Sequence, residues 1–164
     1  MEIERKFIVT DPPEEALEAP SAALRQGYLA GGSGGSVRIR QSDDSFTLTV
    51  KRGAGLVREE HEIAITGAQF EALWPVTESQ RVEKRRHRIA YGDLTIELDV
   101  FGGTLRGLLL AEVEFPDTTA AEAFNPPAWF GAEVTTDGRY TNASLALHGL
   151  PDCPPAGDCE FPLS

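Results

Sequence analysis

The chain has 164 residues, 41% of them hydrophobic and 25% charged, and this balance excludes an intrinsically disordered protein. Its length predicts a single domain over residues 1–150, followed by a tail at 151–164. The formal net charge of -11 disfavours nucleic acid and anionic membranes as partners, because both are polyanions. We also expect a cytoplasmic protein, since we find neither a signal peptide nor an apolar run long enough to span a bilayer.

Period-2 alternation of apolar and polar residues predicts about eight antiparallel strands, a number that can close into a small barrel. The strands are expected at residues 2–9, 24–30, 36–41, 45–51, 57–65, 80–91, 94–101 and 107–115. Glycine-rich segments at 31–36 and 53–55 are interpreted as hairpin loops, because glycine adopts the positive φ angles of such turns. Helices are expected at 66–74, 117–124 and 142–148, from capping residues and from the Pro or Gly residues that follow.

Alternate side chains of a strand share one face of the sheet, and here one face of most strands is charged. The charged residues that alternate in this way are Glu2, Glu4 and Lys6; Arg38 and Arg40; Lys51; Glu60 and Glu62; Lys84 and Arg86; Glu97 and Asp99; and Glu112 and Glu114. One such strand is explained by a solvated face. Like charges at i and i+2 repel each other, however, and their repetition favours a face that holds ions of opposite charge.

The two kinds of charged pair suit two kinds of ligand. Carboxylate pairs suit a hard divalent cation such as Mg²⁺ or Mn²⁺, and Arg or Lys pairs suit phosphate oxygens. All but Arg106 and Arg139 of the 15 Lys and Arg residues lie in residues 1–100, although the whole chain is acidic. We therefore expect the cations to line the inside of a barrel, while the apolar faces pack outward against the helices at 66–74 and 117–124.

The segment Glu2-Ile3-Glu4-Arg5-Lys6 resembles the ExExK signature of the CYTH superfamily, the triphosphate tunnel metalloenzymes. The later charged pairs follow in the order of that family, and Arg25-Gln26-Gly27-Tyr28-Leu29 and Asp137-Gly138-Arg139-Tyr140-Thr141-Asn142 are similar to it as well. The resemblance covers about residues 1–149 and is closest to short bacterial inorganic triphosphatases. It implies an α+β, mainly antiparallel fold: a closed eight-stranded tunnel with a few flanking helices and a C-terminal plug helix.

The resemblance also implies roles for individual residues. The leading metal ligands would be Glu2, Glu4 and Glu114, with supporting or second-metal carboxylates from Glu112, Asp99, Glu97, Glu60 and Glu62. Phosphate oxygens would bind Lys6, Arg38, Arg40, Lys51, Lys84 and Arg86, with Tyr28 either a hydrogen-bond donor or a packing residue. The catalytic candidates are Glu2, Glu4, Lys6 and Glu62.

One segment departs from the family. Short members often carry a basic residue after Arg-Tyr-x-Asn, whereas Thr141-Asn142-Ala143-Ser144 has none, which weakens the expectation of a contact between the plug helix and phosphate.

The expected activity is metal-dependent hydrolysis of a small-molecule triphosphate, with in-line attack by water and no covalent nucleophile. Inorganic tripolyphosphate is favoured as the substrate, because a plugged tunnel leaves little room for a nucleoside. Thiamine triphosphatase, nucleoside triphosphatase, class IV adenylyl cyclase, a non-catalytic polyphosphate-binding module and an ordinary sheet with a solvated face stay open, as do monomer and homodimer.

The soft ligands and bases show no pattern of their own. His61, His87 and His148 lack triad or metal-ligand spacing and are expected to be structural or surface residues. Cys153 and Cys159 have no third soft ligand nearby, and a reduced pair is expected.

Overall fold

The computed structural model describes residues 3–32, 35–52 and 59–152 of the chain. The strands are β1 (Ile3–Val9), β2 (Ser21–Gly32), β3 (Gly35–Ser42), β4 (Ser45–Arg52), β5 (Glu59–Ala64), β6 (Arg81–Tyr91), β7 (Leu94–Phe101), β8 (Leu109–Phe115) and β9 (Phe130–Glu133). They form one sheet in the order β5-β4-β3-β2-β6-β7-β8-β1-β9. Every pair of neighbouring strands is antiparallel, which confirms the expected strand arrangement.

The expectation of a closed eight-stranded tunnel is wrong, because the described residues form an open sheet of nine strands with β5 and β9 at its edges. The unexpected strand, β9, is too short to show an alternation of its own and extends the sheet beyond β1, where Phe7 lies opposite Glu133. At the other edge all six residues of β5 are exposed, and a strand closed against β1 or β9 would bury some of them. The other eight strands lie close to their expected positions, with β2 longer at both ends.

The helices are α1 (Glu14–Glu18), α2 (Gly67–Leu73), α3 (Thr118–Ala123) and α4 (Asn142–His148), with 3₁₀ turns at Trp74–Thr77, Gly103–Leu105 and Gly138–Tyr140. The three expected helices are confirmed, whereas α1 was not expected. Its start is typical of a helix N-terminus, since Pro13 precedes two acidic residues. A capping box begins α2: the Thr66 side chain accepts from the Gln69 backbone, and the Gln69 side chain accepts from the Thr66 backbone.

The apolar face of β1, β7 and β8 packs outward against α3 and the segment that leads to β9. Phe7, Phe115, Phe124 and Phe130 form the aromatic part of this cluster, with ring centroids of Phe7 and Phe130 4.9 Å apart. Arg5 connects β1 to α3 by donating hydrogen bonds to the backbone carbonyls of Ala121 and Phe124. The expected packing of this helix against the apolar face of the sheet is confirmed.

A second cluster lies on the opposite face of the sheet, at one end of it. Val82 and Leu110 are buried there against Leu145 of α4. Because Val82 alternates with Lys84 and Leu110 alternates with Glu112, these apolar residues lie on the same face as the charged ones. Helix α4 therefore covers one end of the charged side of the sheet, in the position expected of a plug.

The structure does not describe Glu2, the glycine segment at 53–55, Cys153 or Cys159, and the expectations for them stay predictions. Within the described ranges, none of the helices has the length and apolar character needed to cross a membrane.

Candidate active site

Strand register brings the predicted charged residues onto one continuous face, which we call the charged face. In antiparallel strands, directly opposite residues point to the same side. Lys6 lies opposite Glu112, which lies opposite Glu97 in turn, and Arg86 lies opposite Asp99. By the same alternation the charged face contains Glu4, Lys6, Arg38, Arg40, Lys51, Glu60, Glu62, Lys84, Arg86, Glu97, Asp99, Glu112 and Glu114.

The most buried charge on this face is Asp99, which is 1% exposed. One carboxylate oxygen accepts a hydrogen bond of 2.7 Å from Arg86 Nε. The other accepts bonds of 2.7 Å from Lys84 Nζ and 2.8 Å from Arg86 Nη2. A carboxylate that accepts three charge-assisted hydrogen bonds is largely saturated.

The ionisation of this cluster follows from burial and pairing. Burial lowers the pKa of Lys84, and the charge of Asp99 only partly opposes this shift. Burial acts in the opposite direction on the acid, but hydrogen bonds from Arg86 and the charge of Lys84 outweigh it and hold the pKa of Asp99 below its usual range. The Arg86 pKa is raised, because its carboxylate partners outweigh its burial. Asp99 and Arg86 are therefore a stable ion pair at neutral pH.

Two further carboxylates extend the cluster across the sheet. Arg86 Nη1 lies 2.8 Å from Glu97 Oε2, and Arg86 Nη2 lies 3.4 Å from Glu112 Oε2. Glu112 in turn pairs with Lys6 at 3.2 Å. The structure thus places Glu97, Asp99 and Glu112, predicted as supporting metal ligands, in contact with cations.

The cations of β3 have a different environment. Within the described ranges, neither Arg38 nor Arg40 lies within ion-pair distance of a carboxylate, and the buried Nε of Arg38 has no hydrogen-bond partner there. The pKa of Arg40 is lowered by burial and then by the like charges of Arg38 and Arg86. The charge of Glu62 opposes this shift without outweighing it, and we call Arg38 and Arg40 the cationic patch, because positive charge accumulates there without a direct ion pair in the described residues.

Two polar side chains, Gln26 and Tyr28, lie beside the cationic patch and form a chain of hydrogen bonds with Arg40. Gln26 accepts a hydrogen bond of 2.8 Å from Arg40 Nε and donates one of 2.9 Å to Tyr28 Oη. Tyr28 also packs in the cluster under α4, which supports the packing role, whereas its role as a hydrogen-bond donor to the substrate stays a prediction. Sequence analysis missed Gln26, although the residue lies within the segment that resembles the family, because a single Gln gives no signal of its own.

The α4 end of the face contacts the cations through polar groups rather than through a basic residue. Lys84 Nζ donates to Asn142 Oδ1 at 3.3 Å, and Lys6 Nζ donates to the Tyr140 carbonyl at 3.1 Å. The lack of a base in this segment therefore suits its surroundings, which already contain two lysines. Sequence analysis did not predict these contacts.

The remaining carboxylates lie toward the edges of the face. Glu4 and Glu114 are directly opposite each other on β1 and β8, and both are exposed. At the β5 edge, Glu62 accepts a hydrogen bond of 3.1 Å from Thr49, and Glu60 lies opposite Lys51. Glu4 and Glu114 thus place two hard oxygen ligands directly opposite each other on neighbouring strands, an arrangement that suits a divalent metal.

A complete metal site is not formed by the part of the chain that the structure describes. Within residues 3–32, 35–52 and 59–152, no group of three or more His, Cys, Asp or Glu side chains is arranged to hold a metal ion. Glu4 and Glu114 offer hard oxygen ligands of the kind that Mg²⁺ and Mn²⁺ prefer. The third predicted ligand, Glu2, lies outside the described residues.

The histidines lie away from this chemistry. His61 and His148 are exposed, and His87 is buried on the opposite face of β6, where its Nδ1 lies 3.2 Å from the Ala19 carbonyl oxygen. A carbonyl can only accept, so the His87 ring donates to α1's flanking backbone. This contact is structural.

Comparisons with known proteins agree with these features. Residues 1–136 match the family described as CYTH domain. The chain is 50% identical over 149 residues to an inorganic triphosphatase of Nitrosomonas europaea, covering 89% of this chain and 97% of the relative. It is 40% identical over 146 residues to an inorganic triphosphatase of Acetivibrio thermocellus, covering 88% and 92%. A crystal structure of an inorganic triphosphatase superposes with a TM-score of 0.77 at 47% identity, over 90% of this chain and 95% of that one.

Proposed function

Because the chain belongs to the CYTH family, we propose that it is an inorganic triphosphatase that hydrolyses tripolyphosphate to pyrophosphate and phosphate on its charged face. The observation that carries the proposal is the cationic patch of Arg38 and Arg40, neither of which lies within ion-pair distance of a carboxylate in the described residues. A half-buried accumulation of like charge is unfavourable in the free protein and favours a polyanionic ligand. The names of the relatives, at 50% and 40% identity, support the same substrate.

Phosphate binding falls to two groups of cations in this proposal. Arg38 and Arg40 present guanidinium groups that can donate two hydrogen bonds each to phosphate oxygens. Lys6 and Lys51 add point charges at either side of the face. Lys84 and Arg86 would attract phosphate mainly through their charge, since both are already paired with Asp99 and only 6% of the Lys84 side chain is exposed.

We assign the metal to the edge of the face at β1 and β8. Glu2, Glu4 and Glu114 would hold Mg²⁺ or Mn²⁺ there, whereas Glu60 and Glu62 lie on β5, at the opposite edge of the described sheet, and would serve a second ion. Such an ion, when bound, draws charge from the phosphate oxygens and lowers the pKa of bound water. Glu62, fixed by its hydrogen bond from Thr49, is also suited to accept the proton of the attacking water.

Glu97, Asp99 and Glu112 receive a different role from the one that the resemblance implies. Each contacts Arg86, and Asp99 also contacts Lys84. Asp99 already accepts three hydrogen bonds from cations and has few lone pairs left for a metal, and Glu97 and Glu112 are ion-paired with Arg86. We therefore propose that these three acids hold the cations in position, and that the metal takes its ligands from elsewhere on the face.

The central test is phosphate release from a substrate panel: tripolyphosphate, thiamine triphosphate and ATP, each with Mg²⁺, with Mn²⁺ and with a chelator. We expect metal-dependent release, fastest from tripolyphosphate. ATP converted to cyclic AMP with tripolyphosphate untouched would favour an adenylyl cyclase instead. Tight tripolyphosphate binding without release in any metal would favour a binding module.

Two variants separate chemistry from binding. Glu4→Gln should abolish metal-dependent release and leave most of the tripolyphosphate binding, whereas Arg40→Ala should weaken binding by about 10- to 100-fold through the loss of charge-assisted hydrogen bonds. Arg85→Ala is the matched control, because it removes the same charge from the opposite face of β6, where the Arg85 side chain donates a hydrogen bond of 2.9 Å to Ser21 Oγ. Equal losses in Arg40→Ala and Arg85→Ala would contradict binding on the charged face.

A further inference from the structure

Gln26 is a buried polar residue in the middle of the charged face, with 4% of its surface exposed. It lies directly opposite Arg40 on the neighbouring strand, and two residues along its own strand lies Tyr28. Its side-chain amide is within hydrogen-bond distance of both: 2.8 Å from Arg40 Nε and 2.9 Å from Tyr28 Oη. Gln26 therefore connects a guanidinium to a phenol across β2 and β3.

The orientation of this amide is determined by the chemistry of its partners. A guanidinium has five N–H donors and no acceptor, so only the carbonyl oxygen of Gln26 can face Arg40. The NH₂ group of Gln26 must then face Tyr28, and the phenol oxygen must accept that bond. In the alternative orientation, the NH₂ group of Gln26 would face the Nε–H of Arg40, so that two donors would point at each other.

This orientation leaves specific hydrogens free for a ligand. Because the Tyr28 oxygen accepts from Gln26, its own O–H hydrogen points elsewhere and can donate. Arg40 Nε is occupied by Gln26, but its two terminal nitrogens have no hydrogen-bond partner within residues 3–32, 35–52 and 59–152, and they lie near the charges of Arg38 and Arg86. The free donors of Tyr28 and Arg40 are thus of the kind that phosphate oxygens accept.

We propose that Gln26 is a positioning residue for the substrate: its amide directs the Tyr28 hydroxyl hydrogen and the Arg40 terminal nitrogens toward the phosphate oxygens of tripolyphosphate. The inference rests on the proposed function and adds a residue to it. Gln26 itself does not contact the reacting atoms in this account. Its effect passes through two side chains that do bind phosphate.

The experiment uses the substitution Gln26→Met, which removes the amide, adds no charge and keeps a similar length. Steady-state hydrolysis of tripolyphosphate should show KM raised about tenfold with kcat within about twofold of wild type, as when a binding contact is lost. Tyr28→Phe should raise KM in the same way. The double variant should raise KM by less than the product of the two single effects, because both remove one connected set of hydrogen bonds.

The chain contains a matched control on the opposite face. Gln41 also accepts from the Nε of an arginine, Arg25, at 2.7 Å, and its NH₂ group also donates, to the Asp43 carbonyl at 2.8 Å. Gln41→Met therefore removes the same kind of network away from the charged face. Its KM should stay at the wild-type value, and thermal unfolding of each variant should show that it is folded at the assay temperature.

The outcomes are distinct. A wild-type KM in Gln26→Met, or single effects that multiply in the double variant, would overturn the inference and leave the proposed function standing. If Gln26→Met does not fold, an unchanged KM in Tyr28→Phe would overturn it equally. A wild-type protein that neither hydrolyses nor binds tripolyphosphate would refute the proposed function, and the inference with it.

Discussion

The substitution Asp99→Asn tests whether the acids of the charged face stabilise the protein by neutralising its cations. Asp99 is 1% exposed and accepts three hydrogen bonds of 2.7 to 2.8 Å from Lys84 and Arg86. An amide of the same size would keep one acceptor but present an NH₂ group to one of these donors. Lys84, with 6% of its side chain exposed, would lose its carboxylate partner and remain buried.

The expected cost is large. Removal of one partner from a buried ion pair typically costs about 3–5 kcal/mol, because the remaining charge is left without compensation. Most domains of this size have a free energy of unfolding of only about 5–15 kcal/mol. Asp99→Asn should therefore lower the urea midpoint strongly at pH 7, or leave the protein unfolded without denaturant.

The pH dependence identifies the cause. Since the pKa of Asp99 is lower in the folded protein than in the unfolded chain, its stabilising contribution is complete above about pH 4 and is lost as the pH falls through the folded value. The difference in unfolding free energy between wild type and Asp99→Asn should therefore stay constant from pH 7 to about pH 4 and shrink below it. Urea unfolding followed by circular dichroism measures this difference.

Glu133→Gln is the control for this experiment. Glu133 pairs with Arg5 at 2.6 Å, a shorter contact than those of Asp99, but its side chain is 39% exposed. Exposed pairs contribute about 0–1 kcal/mol, because water screens them. Equal destabilisation by the two substitutions, or a difference that does not change below pH 4, would refute the argument from burial.

Three further predictions concern packing, capping and the plug. Gly27→Ala should lower the unfolding free energy by about 1–3 kcal/mol in urea, because a Cβ there would lie 2.5 Å from the Oγ1 of the fully buried Thr77. Gly138→Ala, whose Cβ would meet nothing within 4 Å, should cost far less. Thr66→Ala should cost about 1 kcal/mol through loss of the capping box of α2, and the serine variant should restore most of it. Asn142→Ala should lower the unfolding free energy by about 1 kcal/mol, because it removes an acceptor from the buried Lys84. An unchanged urea midpoint in Thr66→Ala or in Asn142→Ala would contradict the estimate for that variant.

The fold could be predicted from the sequence wherever one strand carried its own alternation. Eight strands and three helices followed from local pattern, since side-chain period and capping chemistry depend on neighbouring residues. Strand β9 and helix α1 span four and five residues, too few to show a period. Closure of the sheet could not be predicted, because it depends on curvature accumulated over all the strands and not on any single one.

The candidate site divides in the same way. Membership of the charged face was predictable, because strand alternation sets which side chains share a side. Pairing within the face was not, since it depends on register between strands that are far apart in the chain, such as Arg86 beside Glu112. Gln26 and Asn142 were missed for the same reason: their importance lies in contacts with Arg40 and Lys84, and not in their residue type.

The cations of the charged face differ in whether a carboxylate side chain is paired with them, and this difference affects where a polyanion would bind. At Lys6, Lys84 and Arg86 a phosphate must compete with carboxylates that already accept hydrogen bonds. At Arg38 and Arg40 it meets donors without such competitors in the described residues, one of them a buried N–H with no partner. In the proposed site we therefore expect β3 to contribute most of the binding energy, while the ion pairs of β6 keep neighbouring charges fixed. This division limits the electrostatic cost of folding, because Lys84 and Arg86 are paired with carboxylates while Arg38 and Arg40 keep their donors available for phosphate.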